Sequence, residues 1–224
     1  MNSKPSDRRF PILAAVTCMQ LSLSDRGDTL AALIPGYRDR PLSYETPSFP
    51  ERTTIRAIAP VDAQQDLGEY DLGFFFRYDI FPPTIMRFAG EWIAERRAMR
   101  VGDIIVQQVF LPPYPAASLK MIFGVRILNI SSAPDRVAFS YGTLVGHAET
   151  GESEFAVRRQ GAELQAVIRT RSRPASWLAR VMGPIAALPY QAYCTRRALD
   201  HLVMGVSRVN PRVRMASAGR LSRA

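Results

Sequence analysis

The 224 residues include only two cysteines, two histidines and two lysines, and each scarcity removes a class of protein. Cys18 and Cys194 stand far apart with no C-x-x-C spacing, so neither a disulfide framework nor a cysteine zinc site is expected. The core must hold by burial. His147 and His201 could join a Glu in a metal site only if the fold brought them together, so no metal and no cofactor is expected. A G-x-S-x-G elbow and a phosphate-cradling glycine loop are both missing. No apolar run approaches the roughly 18 residues that a membrane-crossing helix needs. The expected chain crosses no bilayer.

Lysine is scarce because arginine replaces it: 27 of the 29 basic residues are Arg, against 20 acids, for a formal charge of +9. The surplus is local. Residues 1–150 carry 16 basic and 16 acidic side chains, whereas residues 151–224 carry 13 and 4. A cationic C-terminal third suits an anionic surface or acidic partner through a salt-sensitive field. No nucleic-acid reader motif accompanies it, so a nucleic-acid partner is not expected.

Lys4, Arg8 and Arg9 precede an apolar stretch at 10–23, but Pro11, Thr17 and Gln20 interrupt it and no small-x-small site follows. A first strand and a cytoplasmic location are expected, not an export signal. Gly36, Pro41, Pro47 and Pro50 mark a loop or lead-in at 36–54. Residues 72–78 are apolar and aromatic and read as a strand. Residues 84–97 space Ile85, Phe88, Ala89, Trp92, Ile93 and Arg96 as one helix face. Strands are expected at 104–111, 120–130, 136–143, 152–158 and 164–172, with Gln160 and Gly161 in a tight turn. Within them Ile104, Val106, Gln108 and Phe110 share one face, as do Met121, Phe123, Val125 and Ile127, and as do Leu164, Ala166, Ile168 and Thr170. Gln165, Arg169, Arg171 and Arg173 lie opposite the last set and belong to water.

From Pro174 to about residue 205, Trp177, Leu178, Val181, Met182, Ile185, Leu188, Tyr193, Leu199, Leu202 and Val203 outline a long helix, bent by Gly183, Pro184 and Pro189. Short connections favour antiparallel pairing. The expected fold is α+β: a curved antiparallel sheet wrapped around a long kinked C-terminal helix, the helix-grip order, with a cavity between them. Residues 1–60 form a lead-in or extra strands, 61–206 the domain, and 207–224 a basic flexible tail.

One stretch carries a specific pattern. Tyr141-Gly142-Thr143-Leu144-Val145-Gly146-His147-Ala148-Glu149-Thr150-Gly151-Glu152 reads Y-G-T-L-x-G-H-x-x-x-G-E, followed by Ser172-Arg173-Pro174, Gly183-Pro184 and Gln191. Over about 72–203 the chain resembles an uncharacterised bacterial and plant domain-of-unknown-function family, and by analogy the helix-grip proteins of START and Bet v 1-like type. That family carries no assigned activity.

Tyr141 and Thr143 share a strand face with Phe139 and would bring a phenol and a hydroxyl into the cavity if that face points inward. A ligand-binding set of Tyr141, Thr143, His147, Glu152 and Gln191 is therefore expected, holding a small hydrophobic molecule. Gln191 falls near the apolar helix face and needs a partner, which a ligand or the Tyr141 hydroxyl would supply. Two alternatives stand beside this reading. The first is an enzyme of cyclase or hydrolase type, with His147 as base, Glu149 or Glu152 orienting its ring and Tyr141 as donor. The second is an interaction protein acting through its Arg-rich C-terminal surface. Against the catalytic set stands a structural role, in which the glycines supply unusual backbone angles and His147 satisfies loop amides.

Overall fold

From Arg136 to Pro174 the chain folds back on itself twice, as its alternation and short connections require. The structure, a computed structural model, describes residues 20–45, 49–62, 66–175 and 188–210. Its strands are β1 (Gln20–Ser22), β2 (Glu51–Pro60), β3 (Met86–Gly90), β4 (Ile104–Leu111), β5 (Leu119–Ala133), β6 (Arg136–Thr143), β7 (Glu149–Gln160) and β8 (Glu163–Pro174). They form one curved antiparallel sheet in the order β2-β8-β7-β6-β5-β4-β3, and β1 pairs with β5 at residues 120–122, beyond the reach of β6. Register shifts at Ala57/Ala59 and Ile127/Asn129 add bend to the edge and centre. The tight turn joining β7 to β8 is Gly161-Ala162, with Gly161 at φ +59°.

The terminal helix, Leu188–Val209, packs on β2 and β8 and turns Ala198, Leu199, Leu202 and Val206 into one core shared with Val125, Ile127, Phe139, Phe155, Val157, Leu164, Ala166 and Ile168. A helix gripped by a curved sheet is the α+β architecture expected. An Arg56–Asp200 ion pair at 2.7 Å ties the helix to β2, and Asn210 closes it by bonding both backbone groups of Asp71, at 2.9 and 3.1 Å. Phe74 lies so close to Gly205 that an added Cβ would stand 2.5 Å from its ring. Trp177, Leu178, Val181, Met182, Ile185 and the bend expected at Gly183-Pro184 lie outside the described residues, as does the tail from 211. No helix of the described residues is long and apolar enough to cross a membrane. Arg196, Arg197 and Arg208 are exposed on the helix's outer side.

Two local expectations are corrected. The strand expected at 72–78 is a single helical turn, Gly73–Phe76, followed by Tyr78 at φ 65°. Its aromatics are buried on several sides, so they show no strand alternation to distinguish. The helix expected at 84–97 is the edge strand β3 followed by one turn, Glu91–Ala94. Apolar spacing of three and four fits both, and pairing of Met86–Gly90 with β4 supplies backbone hydrogen bonds from a distant segment. The outer face of β4 and β5 is not open to water. Ile104, Val106 and Ile122 are covered by Leu30, Ile34 and Tyr37 from the short helical turns at 27–38. Gln108 points the same way and bonds the Arg26 N–H and the Asp25 carboxylate, at 2.8 and 2.7 Å. β4 thus turns Ile105 and Gln107, not Ile104 and Gln108, toward the helix.

Candidate functional site

Polar side chains interrupt the helix-facing side of the sheet along one line. Gln107 is buried at the centre of β4, and its amide donates to the Tyr78 hydroxyl at 2.7 Å. The Tyr141 phenol stands beside this pair, its ring 6.2 Å from that of Tyr78 and its strand position opposite Ser153, and burial pushes both tyrosines above the ordinary phenol range. Ser153 in turn lies 3.3 Å from Thr170. Rings surround these groups: Phe155 lies 5.5 Å from Tyr141 and 5.3 Å from Phe139, and Phe88 lies 5.0 Å from Tyr78. The line is hydrophobic in frame and polar in content.

Toward the first turns of the terminal helix the line reaches Glu149. Its Oε2 accepts hydrogen bonds from the Ser172 hydroxyl at 3.0 Å and the Gln191 amide at 3.1 Å. Burial raises this carboxyl above the usual range, with Ser172 and the more distant Arg52 opposing. Burial likewise pushes the Cys194 thiol, one helical turn on from Gln191, up to about 11. The Tyr190 hydroxyl donates to the Phe110 carbonyl and anchors the helix start over the end of β4. Gln191 therefore finds its partner, which is Glu149.

The remaining expected residues separate. Thr143 spends its hydroxyl on the N–H and carbonyl of Gly151, at 2.9 and 3.0 Å, and on Ser43 at 2.6 Å, so it closes the β6–β7 hairpin. Glu152 lies on the opposite sheet face from Tyr141, beside Arg171 at 3.5 Å. Its strand parity forbids the inner position, because Tyr141 is paired with Ser153. His147 packs its ring 4.0 Å from Phe123 and accepts the Glu149 N–H on Nδ1 at 3.0 Å. Neither carboxylate orients that ring. His147, Glu152 and Tyr141 are not gathered into one acid–base set. His201 meets Asp79 at 3.3 Å, and among the described residues no cluster of three metal-ligating side chains occurs. Gln107 and Tyr78 are the inner polar groups that motif reading passes over, and Glu149 enters it only as a partner for His147. The adjacent Gln107-Gln108 pair inside an apolar strand is the one signal that could have found them.

Burial pushes the His147 ring from its ordinary 6.5 down to about 3. Between those values the unfolded chain binds a proton that the folded chain refuses, so stability is full above the unfolded value and is lost as pH falls toward 3. The expected slope is at most about 1.4 kcal/mol per pH unit. Glu149, raised from 4.5, acts in the opposite sense as pH rises through its folded value. His147→Gln, whose amide oxygen can still accept the Glu149 N–H, should flatten the acid limb in urea unfolding curves taken at a series of pH values. An unchanged slope would place the acid sensitivity elsewhere.

Residues 76–201 match the family model described as Domain of unknown function (DUF1990). No curated protein matches the sequence. Solved structures of similar outline include an uncharacterised protein from Rhizobium leguminosarum, at 10% identity over 72% of this chain and 96% of the other, with a TM-score of 0.45. A Chromobacterium violaceum protein reaches 15% identity over 70% and 96%, with a TM-score of 0.41. Norcoclaurine synthase from Thalictrum reaches 8% over 70% and 98%, at 0.40. At these values the likeness is one of outline only.

Proposed function

The chain belongs to the DUF1990 family, and from that premise we propose that it binds a small, mostly apolar molecule between the curved sheet and the terminal helix. The inner line from Glu149 through Tyr141 to Gln107 holds the polar end of that molecule. Buried Gln107 carries the proposal, with its hydrogen bond to Tyr78 in the middle of an aromatic core. Apolar residues of the same shape can fill such a place at little cost, since both partners of a buried hydrogen bond can be replaced together. That freedom supports reading these groups as recognition groups.

This reading moves the working residues relative to the motif. Tyr141 and Gln191 stay in the site, Glu149 replaces Glu152, and Thr143 and His147 hold the hairpin that presents Glu149. A general base at His147 finds no support in a ring held near 3 with its Nδ1 already engaged.

Native mass spectrometry of protein purified from its own host tests the proposal. A noncovalent small-molecule adduct that extracts into organic solvent is expected on the wild-type chain, and its occupancy should fall sharply in Tyr141→Phe. Adduct-free protein from every growth condition, together with no uptake of an added apolar fluorophore, would overturn it.

A further inference from the structure

The outer face of the sheet, turned away from the terminal helix, carries a depression of about 190 Å³ whose walls include Ser140, Glu152, Glu154, Arg169 and Arg171. Strand register builds it. Ser140, Glu154 and Arg169 stand side by side across β6, β7 and β8, and Gly142, Glu152 and Arg171 form the next row, which Glu51 continues on β2. Two residues along each strand separate the rows, so their side chains leave the same face. The first row is closed: Arg169 donates to both oxygens of Glu154 at 2.9 and 3.0 Å, and Arg136 reaches the same carboxylate at 2.7 Å. In the second row Arg171 turns Nε and one terminal nitrogen to Glu51, at 2.8 and 2.6 Å, and its other terminal nitrogen stops 3.5 Å from Glu152 Oε1. That stretched contact is the open place in the depression. Beside it, Gly142 lets the Tyr44 hydroxyl settle on the sheet, where an added Cβ would stand 2.5 Å from the phenol oxygen. Burial and, after it, the Glu152 charge push this phenol up to about 12, so it stays protonated at neutral pH.

The charges in these walls balance, two acids against two arginines, and this selects the kind of molecule that fits. A phosphate or carboxylate would meet Glu152 and Glu154 as like charges, and an ammonium group would meet Arg169 and Arg171 in the same way. An apolar body would strip water from charged groups and return nothing. A hydroxyl group donates and accepts at once. Set between Glu152 and Arg171, its oxygen would come within ordinary hydrogen-bonding distance of both, and bonds to charged partners are the stronger kind. A second hydroxyl on the adjacent carbon would give the same carboxylate a second donor.

We infer that this outer face binds a neutral polyhydroxy compound the size of one sugar ring, with adjacent hydroxyls on Glu152 and one of them shared with Arg171. The site lies on the other side of β6, β7 and β8 from the interior discussed above and does not depend on it. Glu51 is a positioning residue: it holds Arg171 by two nitrogens and leaves the third to face the ligand. The outward residues of the Tyr141–Glu152 stretch, Gly142 and Glu152, thereby acquire a use that the interior does not give them.

The test compares four probes of one ring size on the purified full chain at neutral pH, followed through the protein's amide NMR spectrum: methyl α-D-glucopyranoside, D-glucosamine, D-glucuronate and cyclohexanol. The glucoside is expected to bind about tenfold tighter than cyclohexanol, and tighter than either charged sugar. Its largest shifts should fall in residues 140–142, 152–154 and 169–171. Glu152→Gln, which keeps the shape but loses the charge, should weaken the glucoside about tenfold, whereas Glu163→Gln at the far end of β8 should leave it unchanged. Thermal unfolding of both variants separates a lost ligand from a lost fold. A charged sugar or cyclohexanol that binds as tightly as the glucoside, an unchanged affinity in Glu152→Gln, shifts confined to other faces, or no binding of the glucoside at millimolar concentration overturns the inference.

Discussion

Gly151→Ala is expected to destabilise the protein by more than about 3 kcal/mol and to dismantle the site at the same time. Gly151 sits at φ +146°, a region essentially closed to side-chain-bearing residues. An added Cβ would stand 2.0 Å from the Arg171 carbonyl oxygen and 2.6 Å from the Ser172 Cα. Both obstacles are backbone, so no rotamer relieves them. β7 and β8 must part where Gly151 pairs with Ser172, and the Thr143 hydroxyl loses both of its bonds to Gly151. Ser172 then withdraws from Glu149. Urea unfolding measures the cost against Gly161→Ala, where φ is +59° but nothing lies within 4 Å of the new Cβ. That control should lose only about 1 kcal/mol, and equal losses would show that the contact with β8 is not the cause.

Phe155→Ala should cost about 3 to 5 kcal/mol, the usual range for emptying a buried aromatic site. Its ring touches those of Phe81, Phe139, Tyr141 and Tyr78, with centroids 5.9, 5.3, 5.5 and 6.3 Å away. Removing it opens a void that four large rings cannot close without leaving their own positions. The neighbouring Glu154→Ala is the contrast: that side chain faces the other way, between Arg136 at 2.7 Å and Arg169 at 2.9 Å. Partly exposed ion pairs are worth roughly 1 kcal/mol or less. Chemical denaturation of the two variants should therefore differ several-fold in lost stability, and similar losses would contradict the assignment of faces in β7.

The strands were legible wherever alternation and turn residues agreed. Residues 136–143 emerge as β6 without change, and the 104–111 run emerges as β4. The same rules failed at 72–78 and 84–97, because Phe74, Phe75 and Phe76 alternate with nothing polar and because β3 owes its form to β4. The motif was partly legible as a site. Tyr141 and Gln191 could be placed near an interior by parity and helix position. Glu152 was drawn in by its neighbours in the sequence, although one residue along a strand reverses the side chain. Glu149 looked like a servant of His147 and turned out to hold the helix through Gln191.

Two-residue periodicity, proline positions and the scarcity of cysteine and histidine decided by themselves that this chain builds antiparallel ribbons around a closing helix, without metal chemistry written into local spacing. Periodicity labels two faces of each strand but attaches neither to the inside. Only packing in three dimensions chose Ile105 and Gln107 over Ile104 and Gln108, because residues 27–38 cover one side and the terminal helix covers the other. The placement of Glu149, Tyr141 and Gln107 on the inner face is of the same kind, since they come from three strands whose common register no single segment can specify.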